Sequence, residues 1–406
     1  MPRASFFQKL YRHLSRQTSS GRFIPQIDGL RFVAIAMVVL YHLNGYMVAK
    51  AGVDLHAVKQ EWLQQIASVG FHGVELFFII SGFILALPFA AHYLHGAPKI
   101  DLKKYYLRRL TRLEPPYILA AFILFVFAVA VQGRSAGMLL PHLGSSFFYL
   151  HSLIYGQMSP VIGVGWSLEI EVQFYLLVPL PTFLFAIRRQ WLRRTVILAL
   201  MFAAMAVQVD PLQNSGRFSL SILAFLQFFF AGFLLADVYL EDWKRNPVKA
   251  FYWDGIALIA WPLLFVMLRV PEFMRWCFPL FALVLYCAAF RGKICSWMFS
   301  LRGITVIGGM CYSIYLIHYE IISLVARFTK NIGETLPYWA HLALQLVFVA
   351  PAVLMVCGVY FLLIEKPCMR PDWPQRLVRV VWKAESREKV VNEQRCAAEP
   401  ELVHTS

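Results

Sequence analysis

The chain has 406 residues, 59% of them hydrophobic and only 15% charged, against about 45–50% apolar and about 25% charged in soluble proteins. That balance excludes water as the main solvent. The net charge of +15 matches a nucleic-acid binder in size, but the positive residues sit between apolar runs, where the bias of cytoplasmic loops toward Lys and Arg accounts for them, and no nucleic acid partner is expected.

The first 22 residues are polar and basic (Arg3, Lys9, Arg12, Arg16, Arg22) and lack an apolar core and a small-residue cleavage site. They read as a cytoplasmic tail, not a removable signal. Ten apolar stretches follow, at 30–48, 69–91, 115–133, 166–187, 195–209, 218–240, 251–268, 276–290, 303–327 and 338–364. Most approach the ~20 residues that a helix needs to cross a hydrocarbon core; the fifth and eighth are short. The expected fold is therefore all-α, a polytopic membrane helix bundle of about ten transmembrane helices. With both termini cytoplasmic, 29 of the 38 Lys and Arg fall inside, eight outside, and Arg31 at a helix end. This asymmetry supports both termini inside, and the expected location is the cytoplasmic (inner) membrane, as a multi-pass protein.

Residues 134–165 form the longest outside stretch, and its apolar piece SSFFYLHSLIYG is short for a crossing, as suits a re-entrant or interfacial element. After Glu365 comes a polar tail too small for most independent domains. The domain reading is a basic tail over 1–22, a membrane domain over 23–367 and a cytoplasmic polar tail over 368–406. The seven cysteines all lie from Cys277 onward without CxxC spacing, so neither a metal site nor a redox motif is expected.

Ionisable residues inside apolar spans are costly and therefore candidates for function. Arg31 and His42 are 11 residues apart, about three turns, so they share a helix face with roughly 16 Å between them along the axis. An imidazole titrates near neutrality and can take a proton from a hydroxyl; the alternative is a buried His bonded to a neighbouring helix. Glu75, near the outer end of the second span, could orient that ring as the third member of a triad does, or could face outside water. Arg108, Arg109 and Arg112 precede Pro115. Their guanidinium forks suit the phosphates of a nucleotide, and equally a topology anchor or anionic lipid heads. In WSLEIEVQFYLLVPL (166–180), Glu169 and Glu171 point to different sides of a helix. Glu171 with Trp166, Gln173 and Tyr175 could line a sugar pocket, or be a belt aromatic and a helix N-terminal carboxylate. His318, in CYSIYLIHYE, could join a polar chamber at the depth of His42 or satisfy a neighbouring backbone group. No GxSxG, HExxH or Walker loop is present.

The ordered series IDGLRFVAIAMVVLYH (27–42), GVELFFIISGFIL (73–85), RRLTRLEP (108–115), WSLEIEVQFYL (166–176), YSIYLIH (312–318) and EKP (365–367) resembles the acyltransferase-3 family of membrane-bound acyltransferases. The resemblance implies a ten-helix core, an acyl coenzyme A co-substrate (acetyl-CoA above others) entering from the cytoplasm, and a glycan acceptor on the far side or within the membrane. It implies no permanently bound cofactor. By matching positions, His42 would be the catalytic histidine, Arg31, Arg109 and Arg112 the donor-binding cations, and Glu171 the carboxylate of the WSL string. The tail is too short for the extracytoplasmic SGNH domain fused to longer relatives. The expected reaction is O-acylation of a lipid-linked or surface glycan. Succinyl transfer, a small metabolite acceptor, and a transporter or flippase of lipid-linked glycan are the alternatives.

Overall fold

Helix α1 (Pro25–Lys50) begins on a proline, whose fixed φ and missing N–H suit the first helical position. In the computed structural model of the protein, residues 13–16, 23–51, 53, 58–59, 61–208, 215–244, 247–370 and 373 are described. Most of the two expected tails, 1–22 and 368–406, lies outside the described residues. Helices dominate, and no strand occurs among the described residues. The others used below are α2 (Gly73–His95), α3 (Leu102–Ala130), α4 (Ala136–Phe147), α5 (Trp166–Leu177), α6 (Gln190–Ala206), α7 (Leu226–Val238), α8 (Phe251–Met267), α9 (Phe278–Arg291), α10 (Arg302–Gly309), α11 (Cys311–Thr329) and α12 (Tyr338–Tyr360).

Every apolar stretch read from the sequence carries a helix, but their lengths differ. Four helical units are long and apolar enough to cross a membrane: α1, Trp62–His95 (containing α2), α3, and Tyr338–Cys368 (containing α12). The bent pairs α9 with Lys293–Phe299 and α10 with α11 raise that number to six if each is one span. The fourth stretch stops as an α-helix at Leu177 and resumes as a 3-10 turn at Pro181–Ala186. The ninth is broken by a 74° bend between α10 and α11. Helix α3 starts well before the apolar run. Asp101 caps it by accepting from the Lys104 N–H at 3.1 Å, so the basic stretch 103–112 is helical. Residues 134–165 contain α4, packed on α3, and the short helix His151–Tyr155.

Small residues set the closest crossings. A Cβ on Gly82 would lie 2.4 Å from the Phe229 carbonyl oxygen, and one on Gly232 would lie 2.4 Å from that of Ile79. Helices α2 and α7 thus meet backbone to backbone, as small-residue interfaces allow. Gly232→Leu is expected to force them apart at a cost above the ~1–3 kcal/mol usual for overpacking. The variant should lose its monodisperse peak in detergent gel filtration, and a wild-type profile would show that the crossing can open.

Candidate active site

The site starts in the first turn of α1. A Cβ on Gly29 would lie 2.3 Å from the Phe299 carbonyl oxygen, and one on Gly308 1.7 Å from that of Asp28. These glycines bring α10 and the helix Lys293–Phe299 against α1 and bury Asp28, which is 3% exposed. Its Oδ1 accepts from Arg31 Nη1 at 2.6 Å and from Arg16 Nη1 at 3.2 Å.

Helix α3 adds two more cations. Arg109 and Arg112 lie three residues apart and face the same cavity, whereas Arg108, about 100° around the helix from Arg109, is exposed and outside its lining. The Arg109 guanidinium sits over the rings of Tyr105 and Tyr175, 5.5 and 5.4 Å from their centroids, which fixes its position by cation–π attraction. Pro115 has no N–H to offer the Thr111 carbonyl; Trp373 Nε1 donates to it instead, at 2.8 Å.

The break after Gly309 leaves the first amides of α11 without helical partners. Glu365 takes one of them, accepting from the Ser313 N–H at 3.0 Å and from Ser313 Oγ at 2.5 Å. A carboxylate is favoured at this positive end of a helix dipole. From α5, Glu171 Oε1 accepts from Ser81 Oγ at 2.6 Å and from the Tyr175 hydroxyl.

Together these residues wall a cavity of about 940 Å³ counting its open mouth. Arg16, Arg31, Arg109, Arg112, Glu171 and Glu365 supply its polar lining; Val74, Phe77, Phe78, Ile80, Ile84, Leu85, Leu113 and Leu168 supply an apolar stretch. It also includes Ser167 and Tyr315, whose hydroxyls hydrogen-bond at 2.6 Å. Such a chamber suits a ligand with an anionic head and an extended arm.

One turn beyond Tyr315 on α11 lies His318, fully buried and 3.0 Å through Nε2 from His42 Nδ1. The proton positions follow from the acceptors. His318 Nδ1 lies 2.9 Å from the carbonyls of Ile314 and Tyr315, which can only accept, so Nδ1 donates and Nε2 carries a lone pair. His42 Nδ1 must then donate, to His318 Nε2 and to the Val38 carbonyl at 2.9 Å. This leaves the lone pair of His42 on Nε2, ready to take a proton.

Several expected groupings change. Glu75 does not meet His42: its Oε1 accepts from His72 Nδ1 at 3.1 Å. The reason is register, since a Cβ on Gly73 would lie 2.3 Å from the Ala34 carbonyl oxygen, and Ala34 precedes His42 by eight residues, about 12 Å of helical rise. The expected acceptor set Trp166, Glu171, Tyr175 and His318 is also divided. Glu171 and Tyr175 share the cavity with the cations, Trp166 packs on Phe225, and His318 backs His42. Gln173 accepts from the Ile222 N–H at 3.1 Å. The sequence reading gave no site role to Asp28, Ser81, Tyr315 or Glu365, which it quoted only within motifs, and counted Arg16 only as a tail charge. Asp28, three residues before Arg31 and thus on its face, was the one with a readable signal.

The family model described as "Acyltransferase domain" matches residues 24–364. YrhL of Bacillus subtilis (strain 168), which carries the name of a peptidoglycan O-acetyltransferase, is 26% identical over 387 residues, covering 86% of this chain and 56% of its own. The O-acetyltransferase OatA of Staphylococcus aureus (strain NCTC 8325 / PS 47) is 25% identical over 335 residues, 75% of this chain and 52% of that protein. The chain thus spans about half the length of the curated relatives it matches. No solved structure gives a significant match. Because the family model covers all but the ends of the chain, including both histidines and Arg31, Arg109 and Arg112 of the cavity, this protein belongs to the acyltransferase-3 family.

Proposed function

We propose that this protein is a membrane-bound O-acyltransferase that moves an acyl group, acetyl above others, from a cytoplasmic coenzyme A thioester to a hydroxyl of a glycan. The observation that carries this reading is the axial arrangement: four guanidiniums at one end of a cavity with an apolar stretch, and beyond its Tyr315 boundary an imidazole whose lone pair is fixed on Nε2. Phosphates of the donor rest on Arg31, Arg109 and Arg112 while its pantetheine arm extends past Phe77 and Tyr315 toward His42. Roughly 16 Å separates Arg31 from His42 along α1, which suits that division of the donor.

The acceptor hydroxyl gives its proton to His42 Nε2 as its oxygen forms a bond to the thioester carbonyl carbon. The carbon–sulfur bond then breaks, and the departing thiolate takes the proton from the imidazolium. No acyl-enzyme is required. His318 holds the His42 ring and its tautomer and takes the orienting role first considered for Glu75.

The cation end faces the cytoplasm in a ten-span arrangement with both termini inside, in the inner membrane, with lipids around the bundle. The names of YrhL and OatA support acetyl as the group moved, and that of YrhL points to peptidoglycan beside lipid-linked, O-antigen-type and exopolysaccharide glycans as the acceptor. Mass spectrometry of surface glycans from cells with and without the protein tests this reading. The expected result is the loss of one acyl mass per modified unit, which identifies acyl group and acceptor together. Identical glycan and lipid-linked precursor spectra would refute it.

A further inference from the structure

Four guanidiniums line the cavity, and one of them does not come from the bundle. Arg16 belongs to the tail that precedes α1, and its Nη1 donates to Asp28 Oδ1 at 3.2 Å. The segment 13–16 of the tail is seated at this end of the site at two further points. Lys366 Nζ donates to the His13 carbonyl, and a Cβ on Gly309 would touch Arg16 Cβ at 3.4 Å. A basic tail that serves only to orient the protein in the membrane keeps its charges in water. Arg16 instead has a side chain only 12% exposed, and its Nε is buried without an acceptor.

The carboxylates around it are already engaged. The Asp28 oxygen that receives Arg16 also receives Arg31, at 2.6 Å. Glu171 is held by Ser81 and Tyr175, and Glu365 by Ser313. One carboxylate oxygen shared by two guanidiniums leaves donors and positive charge facing the cavity, beside Arg109 and Arg112. An orphaned guanidinium N–H in such a place is satisfied by an anion with several acceptor oxygens, and the planar fork of Arg matches phosphate.

We propose that Arg16 is a further donor-binding residue, carried to the site by the tail, which engages a phosphate group of the nucleotide portion of the acyl thioester. The proposal rests on the reading of the cavity as the donor pocket. Arg16 is then part of the binding wall, with Asp28 as the resident counter-ion that holds Arg16 and Arg31 together before the phosphates arrive.

The test compares equilibrium binding of coenzyme A and of pantetheine, which lacks the nucleotide phosphates, to the full chain in nanodiscs. The wild type is expected to bind coenzyme A more tightly. In Arg16→Gln that preference should fall about tenfold, the order of one charge-assisted hydrogen bond. Because the preference is a ratio measured on one sample, inactive protein cancels from it. Arg16→Lys keeps a cation for Asp28 but not the fork, so a role confined to holding Asp28 predicts full preference, and phosphate binding predicts a several-fold loss. Wild-type preference in both variants overturns the assignment and leaves the donor-pocket reading standing. A wild type that does not distinguish coenzyme A from pantetheine overturns both.

Discussion

His42→Ala is expected to lower acyl transfer at least a hundredfold in membranes holding equal amounts of wild type and variant. General base catalysis typically supplies about 10²–10⁴ in rate, and loss of ring positioning adds to it. The variant should still fold and insert, because Ala removes the hydrogen bonds of His42 Nδ1 to Val38 and His318 and leaves no buried charge behind. Coenzyme A should still bind, since Arg31, the cation on the same helix, lies some 16 Å away along α1 and His42 is outside the lining of the cation-walled cavity. His318→Ala should act through the same ring but more weakly. The bond from His42 Nδ1 to the Val38 carbonyl survives, so kcat should fall roughly tenfold with little change in donor KM, a split that loss of fold alone does not produce. Near-normal turnover by His42→Ala would remove it from the mechanism and make His318 the base to test next.

The helices, and the pairing of a cation with an imidazole on one of them, were legible because both are local. Apolar runs mark helices in lipid, and an 11-residue spacing fixes a shared face whatever surrounds it. Contacts between helices were not legible to the same degree. His42 meets His318 across 276 residues, and nothing in either segment states that α1 and α11 are neighbours. Glu75 shows the same limit in reverse. Span ends suggested a depth near that of His42, but the glycines at 70 and 73, seated against Met37 and Ala34, shift the register toward the cation end. The bend at Met310 had a partial signal in Gly308 and Gly309, which were read through as one span. Its consequence, a buried helix start capped by Glu365, depends on a chain segment 52 residues away. Arg16 was counted among the tail's positive charges, and nothing in its neighbouring sequence signals that its side chain is only 12% exposed.

Arg112→Lys is the second change expected to have a large effect, and Arg109→Lys the control that shares its charge argument. Both residues keep a cation under this substitution, so an anchor that fixes topology by charge is preserved, as is any loose attraction of lipid headgroups. What is lost is the planar fork that meets two phosphate oxygens at once. Arg112 faces the cavity between Arg16 of the tail and Glu365. A Lys there also offers three donors on one nitrogen in place of the five of a guanidinium. A hydrogen bond to a charged group contributes about 1.5–3 kcal/mol, so donor KM should rise roughly ten- to a hundredfold in Arg112→Lys. Protein amount should be unchanged, and kcat at saturating donor should change far less. Arg109→Lys should lose less, since an ammonium can still sit over Tyr105 and Tyr175. Arg108→Lys, at an exposed position outside the cavity, should leave donor KM at the wild-type value. Wild-type donor KM in both Arg109→Lys and Arg112→Lys would reduce these arginines to anchors and move the donor phosphates elsewhere. An equal rise in all three variants would instead mean that guanidinium forks along the whole helix face act alike and that a place in the cavity does not set the donor contact.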